Sequence, residues 1–219
     1  MSIFKLDNVK YSYENTTKSV LNGLTYEFEK EKIYAIIGKS GSGKTTLLSL
    51  MSGLDKTTSG KILYNGQDIA KLNGDVYRST HVGVVFQSYN LLPHLTALEN
   101  VILSMDITSK KIDNKKEKAL KILNEVGINE EKANKRILFL SGGEQQRVAI
   151  ARALSYEPDV ILADEPTGNL DPYNEKQIID IFTKLAHKEG KCVILVTHSK
   201  EVSSKVDEIY DLEINNKSK

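Results

Sequence analysis

The 219-residue chain lacks most of the features that mark secreted, membrane-spanning or nucleic-acid-binding proteins. Its one cysteine, Cys192, excludes an intramolecular disulfide framework and favours a reducing compartment. No uninterrupted apolar run exceeds six residues, whereas a membrane-spanning helix needs about 18. The 30 basic residues balance 29 acidic ones, which argues against a broad nucleic-acid surface. We therefore expect no nucleic-acid partner, and work at a membrane would require a different chain to cross it.

The apolar pattern predicts an α/β fold. Four segments are rich in β-branched residues and apolar on both faces, as in strands of a covered sheet: Ile33–Ile37 and residues 82–86, 160–163 and 192–196. Helical patterns lie between them, and over Pro172–His187 the apolar side chains share one face behind a proline that suits a first turn. This alternation of strand and helix predicts a largely parallel sheet.

From Ser88 to about Pro158 the strand pattern stops and helical patterns take its place. Thr96 and Glu99 form a capping box that begins one helix, and Gly127 ends a second. A third helix follows residue 141. We therefore predict one domain over residues 1–219, in which a helical subdomain of residues 88–157 is inserted between core segments 1–87 and 158–219.

Residues 38–45 match the phosphate-loop pattern G-x-x-x-x-G-K-[ST] in full. The loop follows a predicted strand and leads into a predicted helix at residues 45–51, whereas a chance match would be a glycine- and serine-rich surface loop. The backbone N–H groups of such a loop bind phosphate, and the helix start adds positive charge. We expect Lys44 to reach the β- and γ-phosphates of ATP and Thr45 to offer its hydroxyl to Mg²⁺. The predicted ATP-binding residues here are Gly38, Lys39, Ser40, Gly41, Ser42, Gly43, Lys44, Thr45 and Thr46.

Two acids, Asp164 and Glu165, end the predicted strand of residues 160–163. The carboxyl ends of parallel strands form the edge at which open α/β sheets bind ligands. Asp164 is expected to hold Mg²⁺ through water, and Glu165 to act as the general base for an attacking water. The alternative is an ordinary strand end followed by a helix-capping acid.

The segment LSGGEQQR, which begins at Leu140, adds a second anion site. Ser141 and Glu144 form a capping box, but Gly142 and Gly143 weaken a helix start by about 1 kcal/mol each. This cost makes sense only if something approaches the backbone closely, and the γ-phosphate of a second ATP fits. The predicted residues are Ser141, Gly142, Gly143, Glu144 and Gln145.

With these segments in this order, the chain resembles the ATPase subunits of ABC transporters along essentially its whole length. Four weaker matches belong to the same resemblance. Tyr13, for which Tyr11 is an alternative, corresponds to the aromatic residue that stacks on adenine, and Gln87 to the glutamine that contacts Mg²⁺ and senses the membrane partner. Residues 168–171, with Asn169 and Asp171, resemble the loop that crosses the dimer interface. His198 resembles the histidine that contacts the γ-phosphate.

The resemblance implies both fold and mechanism. The implied fold is an α/β P-loop NTPase core with a mostly parallel sheet, an N-terminal antiparallel β portion and an inserted α-helical subdomain. Two copies are implied to pack head to tail around two ATP molecules, each phosphate loop facing the other copy's signature. The implied catalytic residues are Lys44, Glu165 and His198, and the implied metal residues are Thr45, Gln87 and Asp164. The protein is then peripheral, on the cytoplasmic face of the membrane, through a membrane partner.

Residues 52–60, 86–101 and 162–171 resemble the subgroup that serves lipoprotein release, macrolide export and antimicrobial-peptide resistance. In that subgroup the ATPase drives a separate integral membrane permease. The apolar residues Leu91, Leu92 and Leu95 are then expected to receive the permease near Gln87, with ordinary core packing as the alternative. The chain departs from the family at Lys39, which replaces a small residue or proline, and at Ser199, where aspartate is frequent.

Two other function classes share part of this pattern. A nucleotide kinase would explain the phosphate loop but not LSGGEQQR. A soluble cassette ATPase of DNA maintenance or ribosome-associated work would carry long coiled coils or two cassettes, which do not fit 219 residues without heptads. A soluble cassette ATPase of iron–sulfur assembly remains open as an alternative to the transporter subunit. Recovery with a membrane protein would indicate the transporter subunit, and recovery only with soluble partners would indicate the soluble cassette.

Overall fold

The fold contains two β-sheets, one antiparallel and one parallel. The computed structural model describes residues 2–13 and 19–213. Its elements in chain order are β1 (Ser2–Ser12), β2 (Ser19–Glu29), β3 (Ile33–Ile37), α1 (Lys44–Met51), β4 (Ser59–Tyr64), β5 (Gln67–Asp68), α2 (Gly74–Thr80), β6 (Val82–Val85), α3 (Ala97–Ile107), α4 (Lys115–Glu125), α5 (Glu130–Ala133), α6 (Gly142–Leu154), β7 (Val160–Asp164), α7 (Pro172–His187), β8 (Cys192–Thr197), α8 (Lys200–Ser203) and β9 (Glu208–Asp211). The predicted α/β class is confirmed.

The parallel sheet has the strand order β6-β7-β8-β3-β9. All four neighbouring pairs run parallel. Every residue of β7 and β8 is buried, which explains why these segments are apolar on both faces. The four predicted strands are present, and β7 and β8 each run one residue further than predicted, to Asp164 and Thr197. The edge strand β9 was missed because its sequence, Glu-Ile-Tyr-Asp, is largely polar.

The antiparallel sheet has the order β2-β1-β4-β5, which confirms the expected N-terminal β portion. Its strands β1 and β2 are 11 residues long, yet the apolar pattern alone did not predict them. The reason is a break in alternation: the β1–β2 register shifts between Leu6 and Val9, and Asn8 there has a φ of +49°. A β-bulge moves the following side chains to the other face, so the period of two is lost.

Gly60 of β4 packs directly against this bulge. A Cβ added to Gly60 would lie 2.2 Å from Asn8 O, and its φ is +79°. Gly60→Ala is therefore expected to lower the free energy of unfolding by about 3 kcal/mol or more, as measured by urea denaturation. Gly66→Ala is the matched control, because Gly66 has a φ of +78° but no atom of the described residues within 4 Å of an added Cβ; it should cost only about 1–2 kcal/mol. Equal losses would show that the approach to Asn8 is unimportant.

The parallel sheet separates two hydrophobic clusters. From β7, Ile161 and Ala163 join a cluster with α3–α7, whereas Val160 and Leu162 join a cluster with α1 and the antiparallel sheet. This alternation is the period of two of a pleated strand. Helices α3–α6 lie between residues 88 and 157, and the division there into core and subdomain stays a prediction. Among the described residues, no helix has both the length and the apolarity needed to cross a bilayer.

Candidate nucleotide-binding site

The loop between β3 and α1 has the backbone geometry of a phosphate cradle. Gly41 and Gly43 have φ values of +77° and +96°, and a Cβ added to Gly43 would lie 2.9 Å from side-chain atoms of Val20 and Leu21. The buried Lys44 side chain folds across the loop, where Nζ donates to Gly38 O at 2.8 Å and to Lys39 O at 3.1 Å. The glycines therefore let the loop curl back around the lysine ammonium.

A cleft of about 710 Å³ opens above this loop at the carboxyl edge of the parallel sheet. It is lined by Tyr13, Val20, Ser40, Gly41, Gly43, Lys44, Thr45, Thr46, Gln87, Asp164, Glu165 and His198. All of these except Val20 were predicted from the sequence. The predicted residues Gly38, Lys39 and Ser42 are not part of this lining. The cleft thus gathers residues from β1 through β8 at one edge.

Lys39 is tied to the C-terminal part of the described chain. Its backbone N–H donates to Glu213 Oε1 at 2.9 Å, and its Nζ lies 3.4 Å from Glu213 Oε2. The positive charge that the sequence places near the phosphates is therefore paired with Glu213. The sequence gives no local signal for this contact, because the two residues lie 174 positions apart.

Asp164 lies buried at the end of β7. Burial raises the pKa of its carboxyl, a hydrogen bond from Thr45 opposes this rise, and the adjacent charge of Glu165 adds to it. Its Oδ1 atom is buried and has no hydrogen-bond partner among the described residues. A buried carboxylate oxygen without a donor is costly unless a cation or water contacts it.

Glu165 is the next residue and contacts the predicted histidine directly. Its Oε1 lies 2.8 Å from His198 Nδ1, and its Oε2 accepts from Thr197 Oγ1 at 3.2 Å and from His198 N at 3.3 Å. The Glu165 side chain is 12% exposed and that of His198 69%. Glu165 has a φ of +43°, which turns the chain away from the strand direction immediately after β7. The carboxylate is therefore held at the cleft by groups at the end of β8.

Tyr13, and not Tyr11, lines the cleft. The Tyr13 hydroxyl lies 2.8 Å from Thr46 Oγ1, and its ring is half exposed. The Tyr11 ring meets it edge to face, with 5.1 Å between centroids, and Tyr11 packs against the core cluster of the antiparallel sheet. The geometry therefore favours Tyr13 of the two aromatic candidates.

The signature segment begins α6 as a complete capping box. Ser141 N donates to Glu144 Oε2 at 2.8 Å, and Glu144 N donates to Ser141 Oγ at 3.4 Å. Ser141 and Gly142 are exposed, but a Cβ on Gly143 would lie 2.3 Å from Asn174 Oδ1 of α7. Gly143 is therefore also constrained by packing within the chain, and the expectation that both glycines serve only an external phosphate is wrong for Gly143. Gln145 Nε2 donates to Leu140 O at 2.8 Å.

Glu144 is also paired with Lys132 at the same helix start. Lys132 Nζ donates to its Oε1 at 2.7 Å, and this hydrogen bond, together with those from Ser141, lowers the pKa of Glu144 to about 2. A lowered carboxyl pKa stabilises the fold above its unfolded value of about 4.5, and this contribution is lost as the pH falls toward 2.

The pair predicts a measurable acid sensitivity. In Glu144→Gln, the fall in unfolding free energy between pH 5 and pH 3 should be shallower than in the parent, because the titrating group is gone. Lys132→Met should also reduce the pH dependence of the unfolding free energy between pH 5 and pH 3, because it removes the main cause of the lowered pKa of Glu144. Urea denaturation at several pH values measures both. An unchanged slope in both variants would contradict the assignment.

Residues 87–95 form a loop whose backbone is fixed by two polar side chains that no motif predicted, the buried Asn100 and the partly buried Arg152. Arg152 of α6 donates to the carbonyl oxygens of Tyr89, at 2.9 Å, and Asn90. Asn100 of α3 accepts from Leu92 N at 2.8 Å and donates to Leu92 O at 3.1 Å. One clue was available for Asn100, which is a polar residue in a mostly apolar helix.

The predicted partner-binding leucines divide between core and surface. Leu92 is 38% exposed, whereas Leu91 and Leu95 are half-buried and Leu91 packs against the core. Gln87 is exposed, and its Nε2 would lie 3.4 Å from a Cβ on Gly168. The alternative of core packing therefore applies to Leu91, and Leu92 is the residue available to a partner.

The predicted interface loop, residues 168–171, leads from Glu165 into α7. Asn169 is exposed. Asp171 is the N-cap of α7 and accepts from the backbone N–H groups of Tyr173, at 3.0 Å, and Asn174, at 3.1 Å. Asp171 thus has a helix-capping role within the chain, and an interface role stays a prediction.

Comparisons with known proteins agree with this geometry. The profile of the family described as ABC transporter matches residues 21–168. The chain is 48% identical over 207 residues to the uncharacterised ABC transporter ATP-binding protein YclH of Bacillus subtilis, covering 94% of this chain and 92% of that protein. It is 42% identical over 212 residues to the lipoprotein-releasing system ATP-binding protein LolD of Rickettsia prowazekii, covering 96% and 94%.

Solved structures show the same fold. One is a dimeric ATP-binding cassette in a post-hydrolysis state bound to ADP and phosphate, with a TM-score of 0.85 at 36% identity, covering 95% of this chain and 93% of that chain. Another, from Clostridium perfringens, is part of an ABC transporter complex and has a TM-score of 0.85 at 27% identity, covering 96% and 84%. These similarities extend over nearly the whole chain.

Proposed function

This chain belongs to the ABC transporter family of ATP-binding subunits, which are ATPases, and on that premise we propose that two copies close around two ATP molecules and so move a separate membrane protein. The observation that carries the proposal is the separation of two anion sites. The phosphate loop lines the cleft with Glu165, whereas Ser141 and Gly142 are exposed and lie outside that lining. A second copy can supply the missing signature, and the similar dimeric cassettes support this arrangement.

We assign the phosphates of ATP to the loop that precedes α1. Gly41 and Gly43 let N–H groups face the cleft, and the helix start adds positive charge. Lys44 Nζ would exchange its loop carbonyl contacts for phosphate oxygens, which are stronger acceptors. Adenine would stack on the half-exposed ring of Tyr13, whose hydroxyl is held by Thr46.

Mg²⁺ fits the residues at the base of the cleft. Asp164 Oδ1 is buried without a donor from the part of the chain that the structure describes, the Thr45 hydroxyl bonds the same carboxyl, and Gln87 lines the cleft. One carboxylate with neutral oxygen ligands and substrate phosphates is a set that Mg²⁺ prefers. Within the described residues, no group of three or more His, Cys, Asp or Glu is placed to hold a metal by itself. When bound, Mg²⁺ neutralises charge on the β- and γ-phosphates.

We propose Glu165 as the general base. Its carboxylate accepts a proton from the attacking water as the water oxygen bonds to the γ-phosphorus and the bond to the ADP oxygen breaks. The three donors from Thr197 and His198 keep the carboxylate at the cleft. His198, which is 69% exposed beside it, can reach the γ-phosphate from the same edge. Asn169 and Asp171 would then contact the second copy.

We further propose that the surface around Gln87 and Leu92 receives a helix of an integral membrane permease. Leu92 is exposed on a loop that Asn100 fixes and that begins at Gln87 of the cleft lining, which suits an apolar contact with a partner chain. The protein would then be peripheral on the cytoplasmic face of the membrane. Similarity to a lipoprotein-releasing subunit favours export or mechanotransmission, acting on a peptide, a drug or a lipoprotein.

Recovery from detergent-solubilised membranes tests this docking. The tagged chain should co-purify with an integral membrane protein that also stimulates its ATP hydrolysis. Leu92→Asp should abolish recovery, whereas Ile209→Asp, which alters a 49% exposed residue on β9, should not. Recovery only with soluble partners, such as iron–sulfur assembly proteins, would instead support the alternative class.

A further inference from the structure

Glu175, which no motif predicted, connects two segments that flank the active cleft. It lies in the first turn of α7. Its Oε1 atom accepts from Thr167 Oγ1 at 3.2 Å and from Ser199 Oγ at 3.0 Å. Thr167 follows Glu165 by two residues, and Ser199 follows His198 directly. One carboxylate oxygen therefore contacts both Thr167, which follows the proposed base, and Ser199, which follows the histidine.

The contacts continue from Ser199 to the base itself. Ser199 N donates to Thr197 Oγ1 at 3.0 Å, and that hydroxyl donates to Glu165 Oε2 at 3.2 Å. On the other side, Thr167 is buried and its carbonyl oxygen accepts from Leu170 N at 3.0 Å within the predicted interface loop. The network thus joins the interface loop, the base and the histidine segment through a single acid.

A simple helix-capping role does not account for this arrangement. An acid in a first turn interacts favourably with the helix start while its carboxylate stays in water. Glu175 instead accepts hydrogen bonds from the hydroxyl groups of Thr167 and Ser199, which lie in two other segments. Ser199 is also the position at which the chain departs from the family's frequent aspartate. A carboxylate there would stand beside Glu175 and repel it, whereas a hydroxyl donates to it.

We propose that Glu175 is a positioning residue for ATP hydrolysis, which sets the relative placement of Glu165 and His198 and links both to the interface loop. The inference rests on the proposed roles of Glu165 and His198. It predicts that the carboxylate and the hydroxyl at positions 175 and 199 function as a pair. Closing of a dimer that displaces residues 168–171 would then be transmitted through Thr167 and Glu175 to the histidine segment.

Steady-state ATP hydrolysis and ATP-binding measurements test the first part. Glu175→Ala should lower kcat about tenfold, the usual scale for losing hydrogen bonds to a charged group, with the Kd for ATP unchanged. Glu175→Gln keeps an oxygen acceptor and should retain kcat within about threefold. Asp180→Ala, which removes an exposed acid further along α7, is the matched control and should equal the parent.

An exchange of the two groups tests the pairing, and a rescued rate in the double variant cannot be explained by a loss of folding. Ser199→Asp alone should lower kcat about tenfold through like-charge repulsion. Combining it with Glu175→Ala should restore kcat above that of either single variant, because one carboxylate is again present. A parent-like rate in Glu175→Ala, or a double variant whose kcat does not exceed that of both single variants, would overturn the inference.

Measuring ATP hydrolysis of Glu165→Gln in the same experiment distinguishes failure of the positioning role from failure of the proposed function. If Glu165→Gln loses turnover while Glu175→Ala is unaffected, only the positioning role is wrong. If Glu165→Gln keeps turnover, the assignment of the base is wrong. Equal losses of kcat and thermal midpoint in Glu175→Ala and Glu175→Gln would mean that the residue is merely structural, which also overturns the inference.

Discussion

Glu165→Gln is expected to bind ATP normally, to lose nearly all turnover and to accumulate as a dimer with ATP bound. The glutamine keeps the size of the side chain and can still accept from Thr197 and from His198 N, as the carboxylate does at 3.2 and 3.3 Å. It cannot take a proton from water. Loss of a general base costs about 10²- to 10⁴-fold in rate, and ATP that is not hydrolysed keeps the dimer closed.

Three measurements on one preparation check this expectation. Phosphate release gives the rate, equilibrium binding gives the Kd for ATP, and size-exclusion chromatography with and without ATP gives the oligomeric state. Asp180→Asn, the loss of an exposed carboxylate away from the cleft, controls for charge. Turnover at the parent rate would make the assigned base wrong. An inactive variant that stays monomeric with ATP would leave the base in place and contradict the sandwich.

The parts of the fold that could be predicted from sequence are those whose cause is local. Helix α7 was predicted at its observed bounds, because Pro172 suits a first turn and the apolar stripe has a helical period. The capping boxes at Thr96 and Ser141 were confirmed as well, since each joins a side chain to a backbone N–H three residues away. Such signals lie within one or two turns of a helix and can be read from the sequence directly.

The residues that were missed act over long sequence distances. Arg152 contacts carbonyl groups 62 and 63 positions earlier, and Glu175 contacts Ser199, 24 positions later. Neither position carries a motif, because their partners are backbone or hydroxyl groups that most sequences provide. Only the placement of α6 beside the loop of residues 87–95, and of α7 beside the end of β8, creates these contacts.

Gly143 illustrates the limit of arguing from a residue type to a ligand. The glycine pair in the signature predicted close approach of a phosphate, and Gly142 remains exposed as this requires. Gly143 of α6 is buried against Asn174 of α7. Asn174 Oδ1 also accepts from Arg147 of α6 at 3.2 Å. A glycine at a helix start can thus serve packing and a ligand together, and only coordinates separate the two demands.

Ser141→Arg is expected to abolish ATP-dependent dimerisation and ATP hydrolysis while leaving ATP binding to the chain's own phosphate loop. Ser141 is exposed at the start of α6, so the larger side chain would occupy the place proposed for the second copy's γ-phosphate. Ser141→Ala is the matched control: it also loses the cap, at a cost of about 1 kcal/mol, but adds no bulk and should still dimerise. Undiminished dimerisation of Ser141→Arg with ATP would contradict the sandwich.

Mixing two inactive variants gives the sharper form of this test. Lys44→Ala removes the ammonium that contacts the phosphate loop but leaves the signature intact. Ser141→Arg blocks the signature but leaves the phosphate loop intact. In a mixed dimer, the intact loop of one copy faces the intact signature of the other, so one complete site re-forms. Hydrolysis should therefore reappear on mixing, reaching at most about a quarter of the parent rate, since half of the dimers are mixed and each has one working site. If each chain held a complete active site, the mixture would be as inactive as its components.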